Sequence, residues 1–541
     1  MAEIVELDWS GTVDIDFSTG LGLPDGAVFN PATSLLRVGG GFSAQQFDVY
    51  GAGADMALVR VRGADGSEIA PAVTNYFYIP GMVPGQLAVF GDAGGRNLQF
   101  ADGSHLVIGD GALGTAGDDL GNDINLASLG AAADFLFLRG GDDTARAGGG
   151  NDRVLLNQGN DLAYGGDGDD SIYGGQGNDS VYGEGGNDLL FGDLGDDYVS
   201  AGFGNNVLFG GAGKDRFAAQ DGNDTIYGGG DDDYLEFSGV GGDKYLYGDR
   251  GSDEFALDGT FGMWRLYGGD GENQFDIRAH QGDLFIEAGT GGSLADIEDV
   301  LGKLELHGGA DRDLWSIVPS TGFNHVLDAR EGDDVLSVFG GGNLQSFEMV
   351  DLGDGNDRLD LSGYAGSDRQ NWYLGTGSDT VMAGSGGIFH VEGGTDFIAV
   401  GSGRVEAVLG NLSSVDYALE FEGYRPGFDR VRVVDDIGLS GLVIHKGDGL
   451  SGTTAETNWL IATDASYSID TFDSFLSATE ADTAKPGFFT FLDGHVQTWF
   501  TYDMSSTAGA MKVVDYLDLT SLQQLDLFHI GGGDLDLIGG D

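Results

Sequence analysis

An acidic or amide residue returns at every ninth position along one stretch of the chain. The series is Asp143, Asp152, Asp161, Asp170, Asp179, Asp188, Asp197, Asn206, Asp215, Asp224 and Asp233. Oxygen donors at fixed spacing, among glycines whose carbonyls are free to face a cation, are the chemistry of hard metal ions and of Ca2+ above all. The blocks Gly165–Tyr173 and Gly174–Tyr182 match GGxGxDxUx at every fixed position, U being a large apolar residue. If nine residues make one turn and one strand, alternate blocks stack, and their aspartates lie roughly 4.8 Å apart. At an effective dielectric of about 20, each such pair repels by about 3–4 kcal/mol before screening. The column closes only with cations between the turns. Asn206 keeps an oxygen and loses a charge, so a weakened site is expected there.

The elements that must hold these groups are written in the same period. The eighth position reads Ala145, Val154, Ala163, Ile172, Val181, Leu190, Val199, Leu208, Phe217, Ile226 and Leu235, apolar throughout. This column is the inward face of short strands, and eleven blocks follow one another unbroken from Leu138 to Glu236. Glycines at positions one, two and four are read as suppliers of positive-φ turns. A disordered acidic linker would carry no in-register apolar column.

The tract resembles the RTX (repeats in toxin) calcium-binding family. That resemblance implies a parallel β-roll holding multiple Ca2+ ions. It also implies export through a type I channel by an uncleaved C-terminal signal, and folding outside the cell on meeting calcium. The fold class expected is therefore all-β, a calcium-bound parallel β-solenoid (β-roll) flanked by β-sandwich-like N- and C-terminal domains.

Gly114–Asp119 reads as an isolated opening repeat, which adds Asp119 to the candidate metal ligands. Beyond Glu236 the motif persists at looser spacing, ending at Asp253, Asn273, Asp313, Asp334, Asp357, Asp379 and Asp396. Of these, Asp253, Asp313, Asp334, Asp357 and Asp379 join the nonapeptide aspartates as candidate calcium ligands. An interval of about 17 to 23 residues equals a full coil, not half of one. One side then keeps its calcium turn while the other uses an ordinary loop, and the solenoid runs to about residue 400. The alternative is a second β-domain decorated with isolated calcium loops.

Three segments are expected. Residues 1–110 alternate apolar and polar positions, as at Val5, Leu7 and Trp9, and read as an antiparallel β-domain serving as cap or assembly module. Within it, Asn97–Ile108 reads as a hairpin turning at Asp102-Gly103. Residues 111–400 form the solenoid. Residues 401–541 form a C-terminal β-rich domain, with a short helix near Ser466–Thr483. Phe421–Val431 resembles the flank that follows RTX arrays in type I substrates. The stretch Leu525–Ile538 resembles a type I secretion signal and reads equally as a last strand pair.

Composition narrows the function. With 88 acidic against 25 basic residues and a formal charge of −63, nucleic acid is excluded as a partner. A saline habitat would produce a similar balance. There is no cysteine, so bound metal is the available staple for a secreted chain. The N-terminus has no Sec-type signal, and no stretch is long and apolar enough to span a membrane.

No catalytic constellation stands out. HExxH is absent, Gly213-Lys214-Asp215 lacks the Ser or Thr of a phosphate loop, and His307 and His390 are isolated beside glycine turns. Amphipathic helices for a pore-forming toxin are not visible. The chain reads as a non-enzymatic, secreted, extracellular or cell-surface protein that folds on calcium and self-assembles into a surface layer, filament or matrix. It resembles an RTX surface-layer or extracellular-matrix protein of a Gram-negative bacterium. Partners are other copies of itself and cell-surface polysaccharide. The alternative is an adhesin or carbohydrate-binding protein with the solenoid as spacer, Trp459, Trp499 and Phe500 forming a sugar platform or packing in a core. An exoenzyme is the third reading.

Overall fold

A computed structural model describes residues 121–431 in full, apart from single positions and the stretches 320–323, 341–346, 410–418 and 426–427. Outside that span it describes Val107 and the backbone of the strands named below. The chain divides into two compact units, Met1–Asp270 and Gly271–Asp541. The described residues contain strands and no helix.

In the first unit each nonapeptide forms one strand that pairs, in parallel, with the strand two blocks on. Ser171–Gln176 lies between Arg153–Gln158 and Leu189–Leu194, with Val154, Ile172 and Leu190 in register. Ser180–Gly185 lies likewise between Leu162–Asp167 and Tyr198–Ser200. Two parallel sheets result, back to back, each advancing one strand per eighteen residues. All eleven eighth-position side chains are buried, from Ala145 to Leu235. Each Val, Leu or Ile so placed contributes about 1.5–3 kcal/mol.

The glycines divide into two kinds. Gly166 (φ 113°) and Gly168 (φ 130°), at positions two and four, do adopt the left-handed region. Asn157, Glu184 and Asp193 adopt it too at position two. The first-position glycine is required for another reason, and here the expectation is corrected. A Cβ on Gly165 would stand 2.3 Å from Oδ2 of Asp170, and one on Gly192 2.4 Å from Oδ2 of Asp197. The carboxylate folds over the place where a side chain would be.

On the N-terminal side both pairing directions occur. Phe47–Ala52, Asp55–Arg60 and Tyr76–Ile79 are antiparallel neighbours. Glu3–Leu7, Ser34–Val38 and Leu98–Phe100 instead pair in parallel. The hairpin expected at Asn97–Ile108 is present, Leu98–Phe100 pairing antiparallel with His105–Ile108. The latter lies parallel to Phe135–Phe137, on the solenoid sheet.

The second unit is also a parallel solenoid. One sheet runs Asn273–Arg278, Ser293–Glu298, Leu314–Val318, Val335–Val338, Arg358–Asp360, Thr380–Ala383 and Gly394–Val400. The other begins Leu284–Glu287, Leu304–His307, His325–Asp328 and Phe347–Asp351, and continues through Asn371–Tyr373, Gly386–Val391 and Arg404–Leu409 to Arg430–Val433. Its repeats wind as coils, not as isolated loops on a different β-domain. Larger apolar side chains such as Phe275, Trp315, Phe347 and Trp372 fill these longer coils.

Toward the C-terminus His495–Thr501 is antiparallel to both Gly487–Asp493 and Met511–Tyr516. Leu527–Gly531 and Asp534–Gly539 form an antiparallel pair, the latter also flanking Arg430–Val433. Residues 467–483, where the sequence suggests a short helix, lie outside the described residues, as do the side chains of Trp459, Trp499 and Phe500.

Candidate metal centres

The sixth-position residues form two columns in the first unit, one at each edge. In both, the backbone amide of one residue donates to Oδ1 of its counterpart in the next coil. Asp134 donates to Asp152 at 2.6 Å, Asp152 to Asp170 at 2.7 Å and Asp170 to Asp188 at 2.9 Å. On the other edge Asp143 donates to Asp161, Asp161 to Asp179, Asp179 to Asp197, Asp197 to Asp215, Asp215 to Asp233 and Asp233 to Asp253.

One oxygen of each is thus engaged, and the other is turned inward. Oδ2 of Asp152, Asp161, Asp170, Asp179, Asp188, Asp197, Asp215 and Asp233 is buried with no hydrogen-bond partner. Native proteins tolerate few such groups, because an unpaired buried anion loses its hydration without replacement. Burial pushes Asp170, Asp215 and Asp233 up to about 8, and Asp152 and Asp197 to about 7, with the neighbouring carboxylates raising them further. A proton or a cation is needed against these oxygens to offset the burial.

The donor set fits Ca2+. No cluster of three or more His, Cys, Asp or Glu side chains able to hold a metal occurs among the described residues. A centre here would be built from one carboxylate oxygen and several backbone carbonyls of the glycine turns. All-oxygen, carbonyl-rich coordination suits calcium, while zinc takes nitrogen and sulfur. Gly183 O lies beside Asp170 Oδ2, both crowding the site of a Gly165 Cβ, at 2.9 and 2.3 Å.

In the second unit a run of such aspartates follows one edge, as the lengthened spacing predicts. Asp313 donates to Asp334, Asp334 to Asp357, Asp357 to Asp379 and Asp379 to Asp396. Oδ2 of Asp334 and Asp357 is again buried without a partner, and burial lifts both to about 7. Asp379 and Asp396 are likewise raised, by burial first. On the opposite edge the equivalent positions are Leu284, Leu304, His325, Phe347 and Gln370, all buried. His325 Nδ1 and Gln370 Oε1 there accept the amides of Leu304 and Phe347, replacing the carboxylate bond with a neutral one.

Three expected ligands stand differently. Asp119 lies outside the described residues. Asp313 takes Ser293 N and Oγ on Oδ1 and Gly309 N on Oδ2, so both its oxygens are engaged. Asp224 is ion-paired with Lys244 at 2.7 Å. His307 lies 3.3 Å from Asp328 Oδ2, and His390 stacks on Tyr373 while bonding Asn371 Oδ1.

Two further ladders are absent from the sequence reading. Fifth-position side chains bond in the opposite direction, each accepting the amide of the following coil. Asn151 accepts from Asp169, Asn160 from Asn178, Asp169 from Asn187 and Asn178 from Asp196. The signal was legible, since that position is Asn or Asp in every block but that of Lys214. At the ninth position Tyr173, Phe191, Phe209, Tyr227, Tyr247 and Tyr267 stack face to face, with centroids 4.6–4.9 Å apart. The rings are half-buried on the outer face of one sheet.

Residues 128–163, 164–199 and 200–235 each match the family model for the RTX calcium-binding nonapeptide repeat (4 copies). A search of curated proteins found no significant match.

Proposed function

Starting from a chain whose residues 128–235 are RTX calcium-binding nonapeptide repeats, we propose a secreted structural protein that Ca2+ folds outside the cell. Proteins with such repeats are typically exported by the type I route and work extracellularly. The observation that carries the reading is the repeated inward carboxylate oxygen, buried without a partner in turn after turn. Asp152, Asp161, Asp170, Asp179, Asp188, Asp197, Asp215 and Asp233 would hold calcium in the first unit, and Asp334, Asp357, Asp379 and Asp396 in the second. The ion would neutralise each column and join successive coils. Without it the acidic chain stays extended, as threading through a channel requires.

Folded copies then associate into a surface layer, filament or matrix. Support comes from the acidic surface, whose repulsion calcium relieves, and from sheet faces that repeat at strand spacing. Electron microscopy of the purified chain with millimolar calcium is the test. Monomers persisting at high concentration would remove the assembly step.

A second reading rests on the aromatic ladder. Six stacked rings make a flat, half-exposed stripe of the kind that packs against sugar rings. An adhesin would use it to grip cell-surface polysaccharide. Glycan-array binding by the full chain, lost in Phe209→Ala and Tyr227→Ala, distinguishes it.

A further inference from the structure

Lys244 occupies the sixth-position column itself, paired in register with Asp224 before it and with Trp264 after it. An aspartate there would offer Oδ1 to the amide of the preceding coil. Lysine instead sends its ammonium back into that coil's turn. Nζ lies 2.6 Å from Gly222 O, 2.7 Å from Asp224 Oδ2, and 3.1 Å from both Gln220 O and Gly241 O. Lys244 and Asp224 side chains are both fully buried. The Trp264 ring lies beneath, its centroid 5.7 Å from Nζ.

Four oxygens surround a group with three protons, an excess of acceptors that belongs to a cation cage more than to a hydrogen-bond network. Its members are the carbonyls of positions two and four, the carboxylate of position six, and one carbonyl of the following coil. Asp152, Asp170 and Asp188, on the same column, keep a partnerless Oδ2, whereas that of Asp224 is met by the ammonium.

We propose that Lys244 is a tethered cation that takes the place of calcium in the Gln220–Asp224 turn. The column therefore ends on a charge supplied by the chain, and Trp264 then continues that edge as apolar core. A buried lysine is costly unless a carboxylate and several acceptors meet it, and here both do. The device recurs in the second unit. Arg425 Nε and Nη2 bond the buried Asp429 carboxylate at 2.9 and 3.0 Å, while its guanidinium also reaches Ser402 O and Gly403 O. Asp429 Oδ1 meanwhile accepts the Val405 amide at 3.0 Å, as the calcium-type aspartates accept theirs. Each cation thus closes a carboxylate turn from within the chain.

The inference rests on the reading that the other aspartate turns hold calcium, and the experiment separates the two. Calcium bound per full-length chain is counted by native mass spectrometry and equilibrium dialysis for wild type, Asp170→Ala, Asp224→Asn and Lys244→Asp. Asp170→Ala, which removes both oxygens, should lose one ion and Asp224→Asn none. Lys244→Asp, which restores the column's carboxylate, should gain one. An unchanged count in Asp170→Ala would overturn the calcium reading itself. Loss of an ion in Asp224→Asn would overturn the role of Lys244, as would an unchanged count in a Lys244→Asp chain with wild-type circular dichroism. If Lys244→Asp fails to fold, Asp224→Asn alone decides.

Discussion

The backbone amide of Asp152 donates to Oδ1 of Asp170, eighteen residues later, at 2.7 Å. That one bond turns Oδ2 of Asp170 back into its own turn, onto the place where a Gly165 side chain would stand. Coil stacking thereby sets up the proposed cation site: the oxygen that joins the coils aims the one that would take the ion.

Calcium removal should accordingly unfold the first unit cooperatively. Circular dichroism of the full chain during chelation should lose its β signal, and titration back should restore it sigmoidally. Retained β structure in excess chelator contradicts the account.

Acid should act in the opposite direction on the metal-free chain. Burial holds Asp170, Asp215 and Asp233 near 8 against 3.8 for a free aspartate, so the folded form binds protons more tightly. For a raised carboxyl the stability is full below the unfolded value and is lost as pH rises through the folded one. Dialysed, calcium-free protein should be more ordered at pH about 5 than at about 8. With calcium present, protons compete with the ion and apparent affinity should fall on acidification. A metal-free chain that gains structure toward alkaline pH refutes the assignment of these buried groups.

Gly165→Ala should damage the turn although alanine is a better general residue. Its Cβ meets Asp170 Oδ2 at 2.3 Å and Gly183 O at 2.9 Å. A cost of about 1–3 kcal/mol is expected from overpacking, together with weaker calcium binding. Gly175→Ala should be at least as harmful, because its Cβ would meet the backbone carbonyl oxygen of Asn157 at 2.2 Å, at a φ of 108°. Equal calcium-binding isotherms for wild type and Gly165→Ala would show that the carboxylate does not need that space.

Fifth-position amides should matter for stability and not for metal. Asn178→Ala removes an exposed acceptor of the Asp196 amide, worth about 0.5–1.5 kcal/mol. Thermal unfolding should shift down slightly while the bound-calcium count stays that of wild type. Loss of an ion would make this ladder part of the metal site.

Phe209→Ala breaks two stacked contacts, with Phe191 at 4.8 Å and Tyr227 at 4.9 Å. At about 0.5–1.5 kcal/mol per pair, a measurable fall in the denaturant midpoint is expected even with calcium saturating. An unchanged midpoint would leave the ladder as surface without structural weight.

The repeat by itself determined the period, the inward column from Ala145 to Leu235, the two aspartate edges and the survival of one edge after residue 271. These follow from local rules: side chains alternate along a strand, and a fixed block length fixes the coil. What the tertiary structure decided lies between residues one coil apart. That Gly165 must be bare, that Asn160 accepts forward while Asp161 accepts backward, and that Lys244 reaches the Asp224 turn all depend on neighbours brought alongside by stacking. Nothing in the sequence marks Lys244 as the partner of Asp224. Only packing one coil on the next brings its ammonium to Asp224 Oδ2 and to the carbonyls of Gln220, Gly222 and Gly241.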